Sequence, residues 1–99
     1  MAETLLEAAD EMAAAAEYYE DRRTGMGDRF INRVQLAVAR IEAMPRIGTQ
    51  CSSRYPEIRR HAVKGFPYYV VYATEPAITV IAVAHMKRRP GYWMDRMPH

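Results

Sequence analysis

The hydrophobic pattern of this chain changes period once, and that single change limits it to few architectures. Up to Pro45, apolar residues recur at three- and four-residue steps, the spacing of one helix face. After Pro56 they come in short β-branched and aromatic runs between turn residues, the mark of strands. Leu5, Ala8, Ala9, Met12, Ala15, Ala16 and Tyr19 make one stripe, and Glu7, Asp10, Glu11, Ala14, Glu17 and Asp21 take the other face. Met12 is followed by four alanines with no breaker, so the spacing predicts a helix over 7–22. Residues 3–6 fit either its first turn or a short strand. Thr24-Gly25-Met26-Gly27-Asp28 interrupts the pattern, with Asp28 placed to cap a new helix. That second helix is expected over 28–44. There Phe30, Val34, Ala37, Ile41 and Met44 share a narrow arc, Ile31 and Val38 flank it, and Pro45 ends it. Two helices with so short a link form a hairpin.

The second half reads as loop over 47–53, then strands over 58–63, 68–74 and 78–85. Lys64-Gly65-Phe66-Pro67 and Glu75-Pro76-Ala77 supply the turns, so the three strands make an antiparallel meander. The last two are apolar on both faces and belong at the centre. Helix, helix, strand, strand, strand is an α+β order, with the helices gathered on one face of the sheet. At 99 residues it is expected to be one domain, 1–99.

Composition narrows the function classes. Apolar residues at 49% and charged residues at 26% suit a soluble globular chain and exclude wholesale disorder. No apolar run approaches the ~20 residues of a membrane helix. The start, Met1-Ala2-Glu3-Thr4, carries no basic leader, so no secretory signal is expected. Cys51 is the only cysteine, which excludes an internal disulfide and fits a reducing cytoplasm. The net charge of +2 hides a dipolar chain: residues 1–50 hold 6 basic and 9 acidic groups, residues 51–99 hold 8 and 3. Twelve of the 14 cations are arginine, whose planar fork suits phosphate and carboxylate.

The candidate chemistry sits in that basic half. There is no Gly-rich phosphate loop. A metal would need Cys51, His61, His85 or His99 at spacings that match no motif, so neither metal nor cofactor is expected. Cys51 in a loop is weak support for a Cys–His nucleophile pair. Arg59 and His61 should share one face of the first long strand and Arg60 the other, because side chains alternate. Lys64 lies at the turn, and His85 is followed at once by Met86-Lys87-Arg88-Arg89. These cations are either a solvated edge that blunts aggregation or a surface for phosphate or carboxylate. Tyr92 and Trp93 either pack on the sheet, stack on single-stranded nucleic acid or anchor a protein partner. Leu36 lies roughly 240° from Phe30 around the second helix, beside Asn32, Ala39 and Ala43. It is either a lone exposed leucine or the centre of a shallow partner groove.

A family resemblance rests on an ordered set of residues. Glu11-Met12, Ala15, Tyr18-Tyr19-Glu20, Gly25-Met26-Gly27, Phe30, Val34, Ala37, Ile41 and Pro45-Arg46-Ile47-Gly48 form its first half. Arg60, Phe66-Pro67-Tyr68, Val71-Tyr72, Ile81-Ala82-Val83-Ala84-His85, Arg88-Arg89 and Pro90-Gly91-Tyr92-Trp93 form its second. Together they resemble the ParE/RelE toxin superfamily of type II toxin–antitoxin and plasmid stabilisation modules. The resemblance implies a short first strand at 3–6, the helical hairpin and the meander. It also implies a bacterial or archaeal cytoplasmic toxin wrapped by a co-encoded antitoxin.

Two activities occur on that fold: RelE-like members cleave mRNA on the ribosome, and ParE-like members inhibit DNA gyrase. RNA cleavage must activate a 2′-hydroxyl, stabilise phosphate charge and protonate the leaving oxygen. Ribosome-dependent members use several lysines or a glutamate–histidine pair, whereas this chain offers Arg59, Arg60 and His61, and arginine stays protonated. The gyrase reading is therefore favoured, with Arg88, Arg89, Tyr92, Trp93 and Arg96 as the target-binding end. The alternative is a metal-independent endoribonuclease using Arg59, Arg60, His61, Lys64, His85 and Tyr92. A third reading is a diverged member that binds its antitoxin and little else. The antitoxin is expected on Leu36, Ala39, Ala43 and Arg60. Homodimer and toxin–antitoxin hetero-oligomer both remain open.

Overall fold

The computed structural model describes residues 2–97. Its elements are β1 (Glu3–Thr4), α1 (Leu6–Arg22), α2 (Met26–Ala43), β2 (Thr49–Gln50), β3 (Ile58–Ala62), β4 (Tyr68–Ala73), β5 (Thr79–His85) and a closing 3-10 turn, Met94–Arg96. The class is α+β, as the period change requires. The sheet has the order β1-β5-β4-β3-β2, with β1 parallel to β5 and the other pairs antiparallel. The meander thus carries two extra two-residue strands. β1 takes residues 3–4, and β2 lies inside the segment expected to be loop, pairing Thr49 with Arg60 and Gln50 with Arg59. So short a strand leaves no periodicity to read.

The hairpin covers one sheet face. Ala8, Ala15 and Ala16 of α1 and Phe30, Val34, Ala37 and Ile41 of α2 are buried against Val70, Tyr72, Val80 and Val83. Tyr19, Phe30, Phe66 and Tyr68 form an aromatic cluster at the turn end of the hairpin. Tyr19 and Phe66 have centroids 4.9 Å apart, and Phe30 and Tyr68 5.0 Å, within the range of favourable edge contacts.

Helix α2 starts differently from the sequence expectation. Its N-cap is Gly25, three residues before the expected cap, and Asp28 makes no cap. The Glu20 carboxylate at the end of α1 caps it instead. It accepts the Gly25 N–H at 3.0 Å and the Gly27 N–H at 3.0 Å, two of the donors a helix start leaves free. Gly27 is required by space, because a Cβ there would stand 2.6 Å from the Ala16 carbonyl oxygen. Met44 also departs from the expected arc: it is the C-cap, its backbone leaves the helix, and its side chain is 61% exposed.

The loop after α2 is pinned to the middle of the sheet by Tyr72. Its side chain is fully buried. The hydroxyl donates to the Pro45 carbonyl at 2.7 Å and accepts the Gly48 N–H at 2.9 Å. A Cβ on Gly48 would fall 2.6 Å from that oxygen, so only glycine fits. Arg59 completes the anchor, its Nη1 donating to the Gly48 carbonyl at 2.6 Å.

The other sheet face is also apolar. Residue Ile81 of β5 is a bulge, because Val71 pairs with Ala82 while Tyr72 pairs with Val80. Val80 and Val83 therefore face the helices, and Ile81, Ala82 and Ala84 face away with Ile58, Val71 and Ala73. Trp93, at 4% exposure, lies over this second patch with Tyr92, Met94 and Met97 around it.

Two substitutions probe these cores. Phe30→Ala removes a fully buried ring and should cost about 3–5 kcal/mol. Tyr72→Phe keeps the ring but orphans the Gly48 N–H and Pro45 carbonyl, and should cost about 1–3 kcal/mol. Chemical denaturation of each variant checks both. A Tyr72→Phe midpoint equal to the parent's would show that the loop anchor contributes nothing.

Candidate partner-binding site

The end of β5 and the tail decide which charged side chains are free. β1 pairs with β5 only as far as the Leu5 N–H, which bonds the Val80 carbonyl at 3.0 Å. Beyond that point no strand among the described residues covers the edge of β5. Two side chains take its place. Glu11 of α1 accepts the Val83 N–H at 3.1 Å, and Arg96 donates to the Ile81 carbonyl at 3.0 Å. The two also pair with each other, Arg96 Nη1 to Glu11 Oε1 at 2.8 Å and Nη2 to Oε2 at 3.0 Å. Tyr92 donates its hydroxyl to Glu11 Oε2 at 2.6 Å.

This network is the principal feature that sequence reasoning missed. The helical wheel placed Glu11 on the polar face, whereas its side chain is only 21% exposed and that of Arg96 14%. Burial raises the Glu11 carboxyl, but hydrogen bonds from Arg96, Tyr92 and the Val83 N–H, with the Arg96 charge, outweigh it and hold the group below its ordinary 4.5. Burial and the adjacent Glu11 carboxylate push the Tyr92 phenol up, so it stays protonated. The only signal available in the sequence was an acidic residue at the edge of an apolar stripe.

The proposed target-binding residues divide accordingly. Trp93 is a core residue and Tyr92 and Arg96 are held by Glu11, so these three are internal. Arg88 and Arg89 are exposed on the turn after β5. The Arg88 guanidinium stands 4.0 Å from the Tyr92 ring centroid. Arg60 is exposed on the same side of the sheet as Trp93 and lies 4.5 Å from the Tyr69 ring centroid.

The residues named for RNA cleavage are brought together only in part: Arg60, His85 and Tyr92 line one cavity, and Arg59, His61 and Lys64 lie elsewhere. Arg59 is committed to the Gly48 carbonyl. His61 lies on the helix side of β3 in a groove with Arg33, Leu36, Arg40 and Lys64, where burial and then Arg40 lower its basicity. Arg60, His85 and Tyr92 line a cavity with Trp93 on the opposite side. His85 packs edge-on against Tyr68 with centroids 5.0 Å apart, and its Nδ1 accepts the Lys87 N–H at 3.0 Å. Burial raises the Cys51 thiol, with Arg60 opposing. Among the described residues no three histidine, cysteine, aspartate or glutamate side chains cluster as a metal site, and His99 lies outside those residues.

The residues named for the antitoxin also divide. Leu36 is 52% exposed, and Ala39 and Ala43 are exposed on the same helix. Arg33, Arg40 and Lys64 line the Leu36 groove. Arg60 belongs to the other side of the sheet and does not join this strip.

The ParE toxin family model of the type II toxin–antitoxin system parDE matches residues 4–90. The chain belongs to that family. A solved structure titled chromosomal ParDE TA system from P. aeruginosa superposes with a TM-score of 0.61 at 15% identity. The match covers 85% of this chain and 92% of that one, a likeness of fold. No curated protein matches significantly. Membership in a toxin–antitoxin family implies an antitoxin partner for this ParE-family chain. The family match ends at residue 90, so Tyr92, Trp93 and Arg96, which seal the sheet, lie beyond it. No helix among the described residues is long and apolar enough to cross a membrane.

The Glu11 network makes stability depend on pH. A folded-state value below the unfolded one stabilises the fold above pH 4.5, and this contribution fades as pH falls through the folded value. Glu11→Gln should therefore cost about 1.5–3 kcal/mol at neutral pH. Its deficit against the parent should narrow below pH 4.5. Urea titrations of both chains at pH 7 and in the acid range check this. A constant deficit across the range would show that Glu11 carries no special charge interaction.

Proposed function

We propose that this chain is the toxin of a toxin–antitoxin pair and acts by binding DNA gyrase, not by cutting RNA. The observation that carries the reading is that the side chains named for catalysis are already engaged inside the fold. General acid–base catalysis needs donor and acceptor within hydrogen-bond reach of one substrate. Here His61 lies across the sheet from the cavity that Arg60, His85 and Tyr92 line, the Tyr92 hydroxyl is already given to Glu11, and His85 Nδ1 accepts the Lys87 N–H. Arg59 is equally committed, to a backbone carbonyl. What stays exposed is a set of arginines suited to recognition. Family membership supports the toxin role and, by analogy with ParE-like members, gyrase as the target. Arg88 and Arg89 are the target-binding residues, while Tyr92, Trp93 and Arg96 act by holding the turn that presents them.

Purified chain added to gyrase should inhibit supercoiling, and induced expression should leave ribosome-bound mRNA uncut. Cleaved mRNA with unimpaired supercoiling would reverse the assignment. Arg88→Glu with Arg89→Glu should weaken inhibition at unchanged melting temperature.

The antitoxin is placed on the Leu36 strip. An apolar anchor would seat against Leu36, Ala39 and Ala43, and carboxylates would meet Arg33, Arg40 and Lys64. Leu36→Glu should cost about 2 kcal/mol of binding, roughly thirtyfold, as for a buried anchor. Calorimetric titration with the co-encoded antitoxin measures it, and unchanged affinity would remove Leu36 from the interface.

A further inference from the structure

Three arginines meet at one cavity on the sheet face turned away from the helices. Arg60 reaches it from β3, and Arg88 and Arg89 from the turn after β5. The cavity measures about 80 Å³, and its apolar lining includes Val71, Ala84 and Trp93. We propose that it receives a carboxylate of the toxin's protein target, an aspartate or glutamate on a segment with apolar neighbours. The inference rests on the reading that this chain acts by binding a protein.

The state of the arginines supports it. Each is exposed, and among the described residues none has a carboxylate partner, in contrast to Arg96. Arg60 lies over Tyr69 and Arg88 over Tyr92. A ring face orients a guanidinium through its π cloud and leaves the N–H fork free at the edge. Two forks oriented before the partner arrives lose less freedom on binding, and a carboxylate accepts such a fork in bidentate fashion. The apolar lining suits the methylene stem of an acidic side chain.

Nucleic acid is the less suitable occupant. Single-strand binding draws on open aromatic faces for base stacking. Trp93 is buried, and Tyr69 and Tyr92 each already carry a guanidinium. The antitoxin is less suitable too, because the Leu36 strip lies on the helix side of β3 and this cavity on the other.

The test titrates the full chain by NMR with acetyl-Leu-Glu-Phe-amide, its glutamine counterpart and a short oligouridylate. The glutamate peptide should shift the side-chain signals of Arg60, Arg88 and Arg89 and the Trp93 indole saturably. The glutamine peptide should bind about tenfold more weakly, as the charge-assisted pair is lost. Arg60→Gln and Arg89→Gln should weaken the glutamate peptide by about tenfold each, and Arg60→Lys by less, since it keeps the charge without the fork. Thermal melts confirm that each variant folds. Equal binding of both peptides, indifference to the variants, or tighter binding of oligouridylate would overturn the proposal. The gyrase assay separates the two readings. If the parent leaves supercoiling untouched, the gyrase reading falls and the peptide result still decides the cavity. If the parent inhibits and Arg60→Gln with Arg89→Gln inhibits equally well, the cavity proposal falls alone.

Discussion

The Glu11 carboxylate joins three parts of the chain that are remote in sequence: the first helix, the last strand and the tail. The need for it comes from β1, which is too short to cover β5. Past Val80 the edge of β5 would leave the Val83 N–H and the Ile81 carbonyl without a strand partner, and part-buried backbone groups left that way cost free energy. Glu11 answers the donor and Arg96 the acceptor. The bidentate pair between them brings the tail back to the sheet. Trp93 is then placed over the second face, and the central strands are covered on both sides. Without that return, Ile58, Val71 and Ile81 would face water.

The same device recurs wherever the backbone has groups to spare. Glu20 serves the start of α2, the Tyr72 hydroxyl serves the loop after it, and Arg59 serves the Gly48 carbonyl. Each is a polar side chain whose hydrogen-bonding capacity is used inside the fold. This sorts the arginines of the basic half more sharply than charge does. Arg59 and Arg96 are structural. Arg60, Arg88 and Arg89 have no internal acceptor among the described residues and remain open to a partner.

The two open basic surfaces lie on opposite sides of the sheet, because β3 sends His61 to the helix side and Arg60 to the other. Alternation along five residues of one strand thus separates the Leu36 strip from the arginine cavity. A protein that is held by one partner and acts on another is served by that separation, since each surface can be occupied on its own terms.

The elements themselves were legible in the sequence. Both helices, the three long strands and the burial of β4 and β5 on both faces follow from period and β-branching, since each rests on contacts repeated along the chain. So does the exposure of Leu36, which an arc of buried neighbours on the same helix implies. What the sequence could not disclose depends on single long-range partners. β2 and the Ile81 bulge are defined by what lies across the ladder, and neither has a pattern of its own. Asp28 looked like a cap because it is adjacent, but Glu20 does the capping because the hairpin folds back onto it. The basic and aromatic tail suggested one binding end, and tertiary structure divided it. Tyr92, Trp93 and Arg96 turn inward because an uncovered strand edge and an apolar sheet face lie within their reach, while Arg88 and Arg89, on the turn before them, find no such partner.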